Sequence, residues 1–192
     1  MRRLIAGIVL ASLTVTGIAA PAAAAEPQPN VVQRLVLMNS QTHDFDTLLI
    51  LVLCPSFGGL VVDALNGPET RTLFAPTDAA FVEDVDLDTV EALGVCATAD
   101  PDVVADLLGF HVRDGKTTYD DVRHALGSSL QMLNGAPADV TGTRSAPLIA
   151  GAGFVRKNVK ASNGLIHVMN GVLIPPCFYA PVPSFTEVQA DC

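Results

Sequence analysis

The sequence is short of aromatic and basic side chains, and each shortage narrows what the chain can do. Tryptophan is absent, and aromatic residues make up 5% of the 192 residues. Lysine and arginine number 11 against 20 aspartates and glutamates, which gives a formal net charge of −9. Binding to nucleic acid or to anionic lipid requires clustered basic residues, so this balance argues against both as partners. The one basic cluster, Arg156, Lys157 and Lys160, we interpret as a solvated strand edge.

Familiar catalytic and metal-binding patterns are also missing from the sequence. It contains no Gly-x-Ser-x-Gly elbow, no His-Glu-x-x-His motif, no phosphate loop and no dinucleotide fingerprint. The acidic run from Glu83 to Glu91 lacks the ligand spacing of a calcium loop, and acids at helix starts explain it better. We therefore predict no catalytic residue, no metal site and no cofactor.

A long apolar stretch occurs at the N-terminus. Arg2 and Arg3 precede an apolar segment over 4–20, and the small residues Ala23-Ala24-Ala25 follow it. This order is typical of a secretory signal peptide, so we predict cleavage of residues 1–25 and a secreted, extracellular or envelope-associated protein. A retained membrane anchor is the alternative. No later apolar run reaches the length of a membrane span, so we expect no transmembrane segment in the mature chain.

The chain has four cysteines: Cys54, Cys96, Cys177 and Cys192. Their spacing fits no zinc motif, and an even number in a chain predicted to be exported indicates two disulfides. Four cysteines allow three connectivities. We favour Cys54–Cys96, which would join a helix end to the loop after another helix, and Cys177–Cys192, which bracket a Pro-rich tail.

Apolar periodicity predicts helices in the first half of the chain and strands in the second. We expect helices over 30–40, 43–54, 60–65 and 101–110, and another that begins at Asp86 or Asp88 and is ended by Gly94. After Gly115 the pattern has a period of two, with a hairpin at Asn134-Gly135. Helices followed by strands favour an α+β fold.

The segment Thr72–Phe81 has the pattern of a strand that runs into a helix. Phe74 suits a buried strand, and Pro76 ends the strand because it restricts the backbone at and before its own position. Thr77 or Asp78 can then cap the helix with a side-chain oxygen. We therefore interpret Asp78 as a helix cap rather than as a catalytic acid.

The segment Asn163–Pro176 has the pattern of a turn, a strand and a stop. Asn163-Gly164 is a strong hairpin signal because both residues tolerate positive φ. The strand that follows is apolar on both faces, which predicts that it is covered on both sides. Pro175 and Pro176 cannot extend a sheet and would close the domain.

A third segment over 107–112 has the pattern of a Leu-rich helix that ends in Phe110-His111. In order and spacing, the three segments resemble the signatures of the fasciclin-type (FAS1) domain. The resemblance implies an α+β fold, a mostly antiparallel β-wedge with helices packed on one side. It covers residues 43–176, which leaves an N-terminal lead-in over 26–42 and a Pro-rich tail over 177–192. It also implies a non-catalytic adhesion module that contacts a protein or cell-surface partner.

Two histidines and one phenylalanine stand out among the residues that match the family. His111 and His167 lie among apolar neighbours, where a neutral imidazole can bridge backbone groups, so we expect structural roles. Phe110 stands where the family usually has tyrosine, which removes a hydroxyl that recognition could use. The matched positions, structural or interacting, are Thr72, Phe74, Pro76, Thr77, Asp78, Phe81, Phe110, His111, Asn163, Gly164, His167 and Pro175.

Two other functions remain open at the level of sequence. A hydrolase of unknown type could use His111 or His167 with a nearby acid, which would require a solvent-open His–carboxylate pair beside a nucleophile. A small-molecule or lipid carrier would need an elongated apolar cavity between the helices and the sheet.

Overall fold

The computed structural model describes residues 28–57, 59–176 and 178. Its helices are α1 (Val31–Thr42), α2 (Asp46–Leu53), α3 (Leu60–Asn66), α4 (Asp78–Val85), α5 (Thr89–Thr98), α6 (Pro101–Gly109) and α7 (Tyr119–His124), with a 3-10 turn at Pro55–Phe57. Its strands are β1 (Arg71–Pro76), β2 (Val112–Asp114), β3 (Ser129–Gln131), β4 (Pro137–Gly142), β5 (Pro147–Ile149), β6 (Phe154–Ala161) and β7 (Gly164–Met169). The predicted signal peptide and the predicted Cys177–Cys192 pair lie outside the described residues.

The strands form two sheets. One has four strands in the order β2-β1-β7-β6, and the other has three in the order β3-β4-β5. The pair β1–β7 is parallel, and the remaining named pairs are antiparallel. Together with the helices, these mostly antiparallel sheets confirm the predicted α+β wedge.

A hydrophobic core lies on each face of the four-stranded sheet. Along β1, Leu73 and Ala75 pack into a core shared with helices α1–α6, whereas Phe74 packs into a second core with residues of α7 and β3–β5. Alternate residues of a strand point to opposite faces, so both central strands are apolar on both sides. All six residues of β7 are buried, as its sequence predicts.

The helix starts follow from their capping residues. Asn30 caps α1 and Asp88 caps α5, each in a reciprocal capping box with the residue three positions later. Asp100 caps α6, and Pro101 occupies its first turn. These starts agree with the sequence-based expectations, and Asp88 is the residue that begins α5.

The predicted end of α5 at Gly94 is wrong. The helix continues through Gly94 to Thr98, and Cys96 therefore lies inside the helix rather than in the loop after it. A glycine in a helix interior costs about 1 kcal/mol relative to alanine. The buried side chains of Ala92 and Val95 hold this helix against the core on both sides of the glycine.

A disulfide joins the end of α2 to α5. Cys54 and Cys96 are bonded, with their Cα atoms 5.8 Å apart. This finding confirms the pairing predicted for these two cysteines. Within the described ranges, the chain has no helix long and apolar enough to cross a membrane.

The helix α7 was not predicted from the sequence. Thr118 caps it in a capping box with Asp121, and Val122 is its one buried residue. Six residues are too few to show an apolar period, so the capping box was the available signal.

Candidate functional site

The residues that match the family motifs converge on the paired strands β1 and β7. Phe74 and His167 are neighbours across this pair, and their rings stack with centroids 5.5 Å apart. The ring of Phe154 in β6 meets the His167 imidazole edge-on at 5.2 Å. The two signature segments are therefore in direct contact through side chains that are fully buried.

The imidazole of His167 is held by one hydrogen bond. Its Nε2 lies 2.9 Å from the carbonyl oxygen of Thr117 and donates to it, whereas the buried Nδ1 has no partner among the described residues. Burial lowers the pKa of His167 by penalising the charged ring, and the bond to Thr117 opposes this shift. The ring is therefore neutral at physiological pH.

The imidazole of His111 bridges two backbone groups. Nδ1 donates to the carbonyl of Leu107 at 2.8 Å, and Nε2 accepts from the amide of Leu173 at 2.9 Å. The carbonyl of His111 also accepts from the amide of Phe74 at 2.8 Å. Burial lowers the pKa of His111 to about 4, against the favourable bond to Leu107. His111 thus ties the end of α6 to β1 and to the segment after β7.

The hydroxyl of Thr72 supports the loop that meets His167. It donates to the carbonyl of Gly115 at 2.8 Å and accepts from the amide of Thr117 at 2.8 Å. The guanidinium of Arg113 donates to the Thr117 hydroxyl. This buried set fixes the Thr117 carbonyl in front of the imidazole.

Asp78 caps a helix, but a different helix from the one expected. Thr77 caps α4 by accepting from the amide of Ala80 at 3.3 Å. The Asp78 carboxylate accepts from the amides of Asp46 at 3.0 Å and Thr47 at 2.9 Å, which are the first amides of α2. The residue before α2 is Phe45, which offers no side-chain acceptor. Asp78 therefore supplies this cap from a distant part of the chain.

Asn163 and Gly164 form a junction rather than a positive-φ turn. Neither residue has positive φ, so that part of the turn interpretation is wrong, although β6 and β7 do form an antiparallel pair. The side-chain oxygen of Asn163 accepts from the backbone amide of Val31 at 2.9 Å. Its side-chain nitrogen donates to the backbone carbonyls of Leu65 at 2.7 Å and Gly67 at 2.9 Å. It thereby links the start of α1, the end of α3 and β7.

Gly164 is required by the close approach of β1 and β7. A Cβ atom on Gly164 would lie 1.9 Å from the carbonyl oxygen of Arg71, a backbone atom that cannot swing away. The absence of a side chain at this position therefore permits the parallel pair to start.

The remaining matched residues also lie inside the fold. Phe81 and Phe110 are fully buried, and Phe110 packs in the same core as Phe74. Pro76 ends β1, and the carbonyl of buried Pro175 accepts from the amide of Phe178 at 3.2 Å. The phenylalanine at position 110 thus presents an apolar ring to apolar neighbours.

The hydrogen-bond partners of the two motif histidines bear on a catalytic role. In the described part of the chain, the ring nitrogens of His111 and His167 contact backbone groups and no carboxylate. No group of three or more His, Cys, Asp or Glu residues in that part could hold a metal ion. A solvent-open His–carboxylate pair, which a hydrolase would require, is not formed by either histidine.

A half-open cleft between α1 and β6 is one space among the described residues that bears on a carrier function. It has a volume of about 130 Å³ and is lined in part by Met38, Phe45, Val155 and Val168, with Arg156 beside them. Pockets for drug-sized ligands measure about 300–1,000 Å³. This cleft suits a single side chain better than a lipid.

The family model of the fasciclin domain matches residues 55–175. The chain belongs to the fasciclin-domain family. A solved structure with the same fold is the FAS1 domain pair of the insect cell adhesion molecule fasciclin I. It aligns with a TM-score of 0.53 at 19% identity over 77% of this chain and 51% of that one. At 19% identity, this similarity supports a shared fold and nothing further.

Three relatives show how the domain occurs elsewhere. The uncharacterized protein sll1735 of Synechocystis sp. is 29% identical over 76% of this chain and 98% of its own length. Immunogenic protein MPB70 of Mycobacterium bovis is 31% identical over 60% of this chain and 55% of its own. The pig transforming growth factor-beta-induced protein ig-h3 is 30% identical over 68% of this chain. The chain covers 55% of the length of MPB70 and 18% of the length of the pig protein.

Proposed function

We propose that this protein is a secreted or cell-surface interaction module that binds a protein or cell-surface partner and catalyses no reaction. The family supports this proposal, because one member of the fold is described as a cell adhesion molecule. The signal-peptide pattern of residues 1–25 supports export.

The burial of the motif residues is the observation that carries the proposal. His111 and His167 are 1% and 0% exposed, and Phe74 is 0% exposed. Groups so placed stabilise the fold and cannot reach a substrate without local opening. Function then falls to the outer surfaces, where loops and edge strands commonly carry binding residues.

Binding of the mature protein to cell surfaces tests the proposal. Protein spanning residues 26–192 would be labelled with a fluorophore and added to cells of the organism that produces it. We expect saturable binding that excess unlabelled protein displaces, and no displacement by the heat-denatured protein. Binding that fails to saturate, or that the denatured protein displaces equally, would contradict an interaction module.

The two alternatives have their own measurements. Native mass spectrometry of purified protein would reveal a co-purified small molecule if the chain were a carrier. A hydrolase would lose turnover in a His111→Gln or His167→Gln variant whose fold is intact. Mass spectrometry of protein from culture medium would also place the N-terminus, which we expect at Glu26.

A further inference from the structure

Charge is unevenly divided between the two halves of the described chain. Residues 28–112, which build α1–α6 and β1, carry 13 acidic and 2 basic side chains. Residues 113–176, which build α7 and β3–β7, carry 4 acidic and 7 basic side chains. Helices α1–α6 share one core, and β3–β5 with α7 share the other. The elements on the first side of the central sheet are therefore strongly acidic, whereas those on the second side carry both signs with a small basic excess.

The helix α7 gathers basic residues from three segments. Its Tyr119 hydroxyl donates to the carbonyl of Ser145 at 3.2 Å, and its Arg123 Nε donates to the carbonyl of Arg144 at 2.8 Å. On its other side, the Tyr119 amide donates to the Asn158 side chain in β6 at 2.9 Å. These bonds place α7 between the loop that joins β4 to β5 and the edge strand β6.

Strand β6 adds two lysines to this side. The Lys157 Nζ lies 3.7 Å from the centroid of the Tyr119 ring, a cation–π contact. Lys160 is paired with Leu165, which shares a face of β7 with His167 and Met169, the face that packs towards the second core. Both lysines are exposed, as expected for a solvated strand edge.

We define the basic surface as Arg123, Arg144, Lys157 and Lys160. Arg123 is paired with Asp120 at 2.9 Å. Among the described residues, no carboxylate lies in salt-bridge range of Arg144, Lys157 or Lys160. Three of its four charges are thus available to an outside anion, on a chain whose net charge is −9.

We propose that the basic surface docks an anionic polysaccharide of the cell surface or matrix, a chain of repeating carboxylate or sulfate groups. This inference rests on the proposed interaction function and names its partner. The bases are spread over a loop, a helix and an edge strand rather than gathered around one pocket. Separated basic side chains can each contact a different anionic group of a repeating polymer. The counterions bound to those groups are then released, which favours binding. The acidic helices repel the polymer from the opposite side and so orient the protein on it.

Binding to immobilised dextran sulfate, with neutral dextran as the blank, tests this surface. The test variant is Arg144→Gln with Lys160→Gln, which keeps the Lys157–Tyr119 contact. The matched control is Thr89→Glu with Val90→Glu, because both residues are exposed at the start of α5 and the net charge changes by the same two units. Thermal melts would verify that both variants are folded.

We expect the test variant to bind dextran sulfate at least about tenfold more weakly at 50 mM salt, and to lower the slope of log K against log salt by about two. The control should stay within about twofold of the parent protein. Equal losses in both variants, or no binding above neutral dextran, would overturn the inference. Salt-sensitive self-association abolished by the test variant would overturn it in favour of a second copy of this chain.

The cell-binding assay separates this inference from the proposed function. If the test variant binds cells as tightly as the parent protein, the polysaccharide inference fails and the interaction function stands. If the parent protein itself shows no saturable binding, the interaction function fails.

Discussion

Asp78 shows how one carboxylate can serve a helix far from it in sequence. It accepts from the first two amides of α2, which begins 32 residues earlier. Those amides have no partner within their own helix, and a negative charge beside them is favoured by the helix dipole. The residue therefore connects the start of α2 to the junction of β1 and α4.

We predict that Asp78→Ala lowers the free energy of unfolding by about 2 kcal/mol, the upper range for a lost helix cap. The reason is that the substitution removes both hydrogen bonds and leaves the amide of buried Thr47 without an acceptor. Urea denaturation would measure the change. Asp88→Ala removes an exposed cap and should cost about 1 kcal/mol, so an equal or larger loss there would contradict the tertiary role of Asp78.

Local sequence predicts the kind of role at such positions but not the partner. Thr77 or Asp78 is expected to cap α4; Thr77 does so, whereas Asp78 caps α2. The amides that Asp78 accepts from come from another segment, which no local pattern encodes. Asn163 is similar, because its amide joins three segments that meet only in the folded chain.

His111 should make stability depend on pH. Burial lowers its pKa to about 4 in the folded chain from the usual value of 6.5, so the unfolded chain binds the proton more readily. Stability is then fully present above pH 6.5 and is lost as the pH falls towards 4. We predict that protonation of His111 on unfolding lowers the free energy of unfolding by about 2 kcal/mol between pH 7.5 and pH 5.

Urea midpoints at the two pH values would measure this loss. The lowered pKa of buried His167 acts in the same direction. In a His111→Gln variant the dependence should be weaker by the amount that His111 contributes. A dependence that is unaltered in the His111 variant would show that this imidazole is not held neutral.

At the scale of elements, the approach of β1 to β7 depends on Gly164. We predict that Gly164→Ala lowers the free energy of unfolding by about 3 kcal/mol or more, because the new methyl group would overlap the Arg71 carbonyl and separate the strands. The matched control is Gly94→Ala in α5, where a Cβ atom meets nothing within 4 Å. That change should stabilise the protein by about 0.5–1 kcal/mol. Chemical denaturation of both variants would test whether the first substitution destabilises the protein and the second stabilises it.

Helix starts that carry a local cap were more predictable than the start of α2, which is capped from a distance, or the end of α5. Capping residues at Asn30, Asp88 and Asp100 are local signals, and they mark the observed starts of three helices. The end of α5 depends on packing that outweighs one glycine. The short helix α7 is held by contacts to β6 and to the loop between β4 and β5, which no pattern within its own six residues could reveal.

At the scale of the whole molecule, one disulfide links two helices of the larger core. Cys54 and Cys96 are separated by 42 residues, and closing a loop of that size stabilises a fold by about 4 kcal/mol through restriction of the unfolded chain. We predict a loss of that order in a Cys54→Ala, Cys96→Ala variant, measured by urea denaturation.

The second predicted pair, Cys177–Cys192, provides the comparison. Replacing both with serine should cost about 3 kcal/mol if they are bonded, about 1 kcal/mol less than the first pair, because they close a shorter loop. Peptide mapping of the unreduced protein would establish whether they are joined. If replacing Cys177 and Cys192 lowered the free energy of unfolding more than replacing Cys54 and Cys96, the disulfide between α2 and α5 would not be the more stabilising of the two.

The pairing of Arg71 with Gly164 also sets the order in which the protein can form during synthesis. During synthesis from the N-terminus, the residues of α1–α6 and β1 are made long before those of β7. Strand β1 therefore lacks its parallel neighbour until β7 has been synthesised. Closing so large a loop is slow because its entropy must be lost before the contacts form. We expect a nascent chain that ends before Gly164 to show weaker hydrogen-exchange protection of the β1 amides than the complete chain, because β2 is then the one strand partner that β1 has. The proposed export through a narrow membrane channel requires an unfolded chain, and this late closure would keep the polypeptide unfolded until it reaches the other side.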